Sequence, residues 1–76
     1  MRVVVAEVHK NLFDGEAESL SATTTDGEVT ILAHHEPFVA TLKKGVVLVK
    51  TTTGEESFDV IGGVLEVSNN TVTVIL

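Results

Sequence analysis

The chain has 76 residues, no cysteine and a formal net charge of −6 from eleven acids against five bases. Disulfide and thiolate-metal staples are excluded, and so is the long basic patch that phosphate-backbone binding requires, so no nucleic-acid partner is expected. Apolar residues make up 43% of the chain and aromatics only 4%, which leaves an aliphatic core.

One domain, residues 1–76, is expected from the length. The N-terminal stretch MRVVVAEV has one Arg, a short apolar run broken by Glu7 and no small-residue cleavage site, so it does not read as a signal peptide. No apolar run reaches the ~20 residues that a helical bilayer span needs. A soluble cytosolic protein without direct membrane insertion is expected.

Valine and threonine dominate, and both favour strands. The strands predicted in chain order are Arg2–Val8, Glu16–Thr23, Glu28–Leu32, Phe38–Leu42, Val46–Lys50, Ser57–Ile61, Val64–Val67 and Val72–Leu76. Turn residues separate them at Asp14-Gly15, Asp26-Gly27, Lys44-Gly45, Gly54, Gly62-Gly63 and Asn69-Asn70. Such pairs tolerate the positive φ of tight hairpins. Short strands at this spacing indicate a sandwich or barrel. Pro37–Lys44 is the best helical candidate, and its short length and β-branched Val39 and Thr41 count against it. No linker, low-complexity tract or internal repeat stands out.

Val64-Leu65-Glu66-Val67 and Val72-Thr73-Val74 alternate, with one apolar face. Val3-Val4-Val5 and Val46-Val47-Leu48-Val49 are apolar on both faces. In a small sandwich only one face meets the core, so the other implies an exposed apolar patch or a covering partner, the partner being preferred, with cover by neighbouring loops as the alternative.

His34, His35 and Glu36 form the strongest candidate site for chemistry. Adjacent strand residues point to opposite faces, so the two imidazoles would not readily share a metal. A third ligand would have to come from Glu28, Glu36 or His9, at spacings that match no established metal motif. A polar loop is the preferred reading. Glu55-Glu56 reads as a solvated hairpin tip, and Gly62-Gly63 as a bulge or turn where two backbones approach closely. The hydroxyl-rich run Ser19–Thr25 has no base to activate it. No catalytic residue, metal or cofactor is expected.

Four segments, LFDGEAESL, DGEVTIL, HHEPFVATLKKG and GEESFDVIGGVLEVSNNTVTVIL, follow one another in an order that resembles the N-terminal domain of the epsilon subunit of F-type rotary ATP synthases. The likeness runs from about Val3 to Leu76. It implies an all-β fold, a flattened β-sandwich of about ten short, mainly antiparallel strands in two sheets. It also implies a non-catalytic place in the central stalk, peripheral on the cytoplasmic side of a bacterial plasma membrane. There the gamma subunit binds one sheet face and edge, and the lower loops rest on the ring of c subunits. Glu28 and His35 match ring-facing positions, with His34 beside them. Val4, Glu7, His9, Leu42, Val46 and Leu48 are expected on the gamma side.

The sequence departs from the family at Thr30, where Gly is usual, at Ala33-His34, where Pro-Gly is common, and at Lys44, often Pro. The family's C-terminal helical pair is absent from these 76 residues, so neither helix-mediated inhibition nor ATP binding is expected. The alternatives are a sandwich module with a different protein partner, and a metal-dependent enzyme built on the twin histidines.

Overall fold

The computed structural model describes residues 1–76 as nine strands and no helix. They are β1 (Arg2–Glu7), β2 (Lys10–Glu16), β3 (Ser19–Thr24), β4 (Gly27–Leu32), β5 (Phe38–Leu42), β6 (Gly45–Thr51), β7 (Gly54–Val60), β8 (Gly63–Ser68) and β9 (Thr71–Ile75). The fold is all-β, as expected. Pro37–Lys44 contains β5 and no helical turn.

β2 is the strand that the sequence reading lacks. Its residues, Lys-Asn-Leu-Phe-Asp-Gly-Glu, include no β-branched side chain and contain a turn-like Asp-Gly pair. Pairing with β1 overrides that weak propensity. Val5 faces Phe13 and Val3 faces Gly15, with a bulge between Val5 and Ala6. Consequently Asp14-Gly15 lies within a strand, and the turn falls at Ala17-Glu18.

The strands run in the order β2-β1-β9-β8-β5-β3-β6-β7, with β4 on the other side of β3. All neighbours are antiparallel except β1 and β9, which are parallel. The expected two sheets are joined into one. Thr24 pairs with Leu42, Thr25 N–H donates to Thr41 O at 2.9 Å, and Lys43 N–H donates to Thr23 O at 2.9 Å. At this corner the chain leaves β5, turns at Lys43-Lys44 and enters β6. The sheet therefore doubles over, with β2-β1-β9-β8-β5 forming one layer and β4-β3-β6-β7 the other. Strands that change layers at a corner are a known way to close a sandwich.

The core lies between the layers. Val3, Val5, Leu65, Val67, Val72 and Val74 fill it from one side, and Leu20, Ala22, Ile31, Val47, Val49 and Val60 from the other. Strand alternation places these residues inward and sends their neighbours out. Each fully buried valine contributes roughly 1.5 kcal/mol by leaving water. Phe13, Phe38 and Phe58 are partly buried against this core.

Two hairpins in the second layer close with the same device. Thr24 Oγ1 accepts from Asp26 N–H (3.1 Å) and donates to Gly27 O (2.7 Å). Thr51 Oγ1 accepts from Thr53 N–H (3.3 Å) and donates to Gly54 O (3.0 Å). In the first layer, Gly63 opens β8 at φ +131°, where a Cβ would stand 2.5 Å from Ile75 O. The expected close approach of two backbones is at this residue.

Candidate interaction surfaces

The twin histidines lie on the β4–β5 loop, 33–37. His34 adopts φ +64°, a left-handed conformation that L-residues seldom take. Its N–H donates to Asn70 Oδ1 at 2.8 Å. Asn70 belongs to the two-residue β8–β9 turn, in which Asn69 and Asn70 both have positive φ. His35 N–H donates to Leu32 O at 3.3 Å, and its Nδ1 lies 2.7 Å from Glu36 O. The His35 ring meets Phe38 edge-on, with centroids 5.7 Å apart. Both histidines are exposed.

Glu28 is not beside them. It sits at the other end of β4, paired with Thr23, four strand steps or about 13 Å before Leu32. What Glu28 and the histidines share is β4 itself, an edge strand whose only partner is β3. No three His, Cys, Asp or Glu side chains converge. The arrangement offers hydrogen-bonding groups along an edge, with the histidines and Glu28 at its opposite ends.

The six residues expected on the gamma side do not form one surface. Leu42 is a correction: it is 3% exposed and sits in the core, because alternation along β5 turns it inward beside Thr24. Val4 points outward from the first layer, half-buried. Val46 and Leu48 point outward from the second layer, where they line an open concavity of about 320 Å³ with Ser21, Thr23, Glu28 and Thr30. Glu7 lines a different depression with Leu12, Asp59 and Ile61. His9 is exposed in the β1–β2 turn.

An apolar strip on the first layer escaped the sequence reading. Ile75 pairs with Ala6 on one side and Val64 on the other, which sets these three side chains in a row across the outer face. Ile75 is 54% exposed and Val64 42%, and Val39, 67% exposed, lies one strand further on. The signal was present in the run Val74-Ile75-Leu76, which is apolar on both faces. Arg2 and Asp14 flank this face as a bidentate pair, Nε–Oδ1 3.1 Å and Nη2–Oδ2 3.0 Å. The hydrogen bond from Arg2 holds the Asp14 carboxyl below its ordinary range; desolvation opposes it, and the charge of Arg2 adds a smaller lowering.

The family model described as the ATP synthase delta/epsilon chain beta-sandwich domain matches residues 1–76. The chain belongs to this family. The ATP synthase epsilon chain of Psychrobacter cryohalolentis is 43% identical over 72 residues, covering 93% of this chain and 52% of that protein. The epsilon chain of Xanthomonas euvesicatoria pv. vesicatoria is 38% identical over 77 residues, covering 100% and 55%. The chain thus spans about half the length of these relatives.

Two solved structures share the delta/epsilon sandwich fold. A chain of the Euglena gracilis mitochondrial ATP synthase, described as OSCP/F1/c-ring, superposes with a TM-score of 0.88 at 22% identity, covering 96% of this chain and 48% of that one. A chain of the Tetrahymena thermophila mitochondrial ATP synthase central stalk and c-ring gives 0.84 at 16% identity, covering 97% and 60%. The φ of +64° at His34 is one that Gly adopts without strain, in line with the Gly that the resemblance implies at this position.

Proposed function

We propose that this chain is the sandwich part of an epsilon-type stalk subunit. It couples the gamma subunit to the membrane c-ring of an F-type, ion-translocating ATP synthase during ATP synthesis, and it performs no catalysis itself. The match of the delta/epsilon sandwich family to all 76 residues carries this reading. The stalk and c-ring assemblies that contain the two similar structures support it. So does the mechanical character of the fold. A densely packed aliphatic interior deforms little, which suits a part that transmits torque. No helix is long and apolar enough to cross a membrane, and in this proposal the chain sits peripherally on the cytoplasmic face of a bacterial plasma membrane.

On this reading the β4 edge, from Glu28 to His34 and His35, rests on the c-ring. Val4, Glu7, His9, Val46 and Leu48 remain the candidates for gamma, and Leu42 is withdrawn. An apolar strip with a polar rim is the usual composition of such an interface, so Ala6, Val64 and Ile75 join the candidates. The test is a pull-down of this chain with purified gamma subunit, followed by co-purification with the c-ring. Retention at micromolar concentration is expected. Absence of binding at that concentration overturns the reading.

A further inference from the structure

His35 offers more than a position on the loop, because its proton can be placed. Nδ1 lies 2.7 Å from the backbone oxygen of Glu36. A carbonyl oxygen only accepts, so Nδ1 must be the donor. A neutral imidazole carries a single N–H, which leaves Nε2 as a bare acceptor. One further contact holds the ring in this pose: its edge rests against Phe38 at a 66° interplanar angle. The backbone beneath it is fixed by the His35 N–H, which donates to Leu32 O at 3.3 Å. His34 differs, since its backbone N–H rather than its ring is the group engaged, through Asn70.

We infer that the loop fixes the neutral His35 ring in the Nδ1–H tautomer, which leaves Nε2 as an acceptor for the c-ring that the proposed function sets against this loop. The matching partner group is a hydrogen-bond donor: an ammonium, a guanidinium, an amide N–H or a hydroxyl. A carboxylate does not match the neutral ring. The identity of the partner rests on the function proposed above, but the tautomer does not.

The two parts are therefore tested separately. Long-range ¹H–¹⁵N spectra of this 76-residue chain at pH 8.5 report which ring nitrogen carries the proton. A protonated Nδ1 and an unprotonated Nε2 are expected, and a dominant Nε2–H form overturns the inference while leaving the stalk reading intact. Co-purification with the c-ring then compares two variants. His35→Gln keeps an acceptor near the Nε2 position and should bind within about twofold of the parent. His35→Lys offers only donors and should bind about tenfold more weakly, the equivalent of one hydrogen bond. Equal binding by His35→Lys overturns the acceptor role. Failure of the parent chain to bind counts against the stalk reading, and the spectra still decide the tautomer.

Discussion

The backbone N–H of His34 and the side-chain oxygen of Asn70 meet at 2.8 Å across 36 residues of sequence. This bond ties the β4–β5 loop to the β8–β9 turn, and so joins the second layer of the sandwich to the first at one end. Asn70 serves twice, since it also holds positive φ within its own turn. Asn70→Gly should keep the turn and lose the acceptor, costing about 1 kcal/mol. Asn70→Ala should lose both and cost about 2 kcal/mol. Urea unfolding of the two variants checks the order. Faster amide exchange at His34 in both variants checks the cause.

His34 itself pays for its left-handed backbone. An L-residue there costs roughly 1–2 kcal/mol, of which a glycine returns part as extra freedom of the unfolded chain, about 0.4–1 kcal/mol. His34→Gly should therefore stabilise the domain by roughly 0.5–1 kcal/mol, measured as a rise in the urea midpoint at constant slope. A fall in the midpoint would show that the imidazole contributes contacts outweighing the strain.

Gly62 and Gly63 look interchangeable in the sequence, yet the structure separates them. At Gly63 a new Cβ would lie 2.5 Å from Ile75 O with φ at +131°, whereas at Gly62 the nearest atom is Leu42 O at 3.8 Å. The oxygen at Gly63 belongs to a paired strand and cannot yield freely. Gly63→Ala should cost about 3 kcal/mol from combined strain and steric overlap, and Gly62→Ala less than about 1 kcal/mol. Thermal unfolding of both variants gives the comparison.

Much of this architecture is legible in the residues, because valine-rich alternation states which side chains face inward. The core pairs Leu65–Val67 and Val72–Val74 follow from that pattern. β2 is not legible, since Lys10–Glu16 has neither the propensity nor the period of a strand and is paired by β1 after the chain turns back. Leu42 is misread because β5 carries large apolar residues on both faces: Val39 and Leu42 point to opposite sides, and the sequence does not say which side meets the core. The surface is less legible still. Glu28 and His35 are seven positions apart in sequence, and only the edge position of β4 shows that they flank one strand without touching.

The Arg2–Asp14 pair gives the chain an acid-range dependence with a defined sign. Asp14 is held below its ordinary value in the folded state, chiefly by the Arg2 hydrogen bond. Its contribution to stability is present above the ordinary carboxylate range and is lost as pH falls through the lowered folded value. In Arg2→Gln the Asp14 titration midpoint should move upward, as followed by the carboxyl carbon shift. Both groups are exposed, so salt should shrink the difference between parent and variant.

The last prediction concerns the paired threonine turns. Thr24 and Thr51 make the same two hydrogen bonds within T-x-x-G, but only Thr24 is buried, at 1% exposure. Valine at either position keeps the shape and removes the hydroxyl. At Thr51 water can replace the lost partners, so Thr51→Val should cost no more than about 0.5 kcal/mol. At Thr24 the hydroxyl lies inside the corner where β3 meets β5, and the freed Asp26 N–H and Gly27 O compete poorly for water. Thr24→Val should cost about 1.5 kcal/mol. Equal losses in the two variants would mean that the turn bonds contribute the same whether or not they are shielded, and that burial at the corner adds nothing.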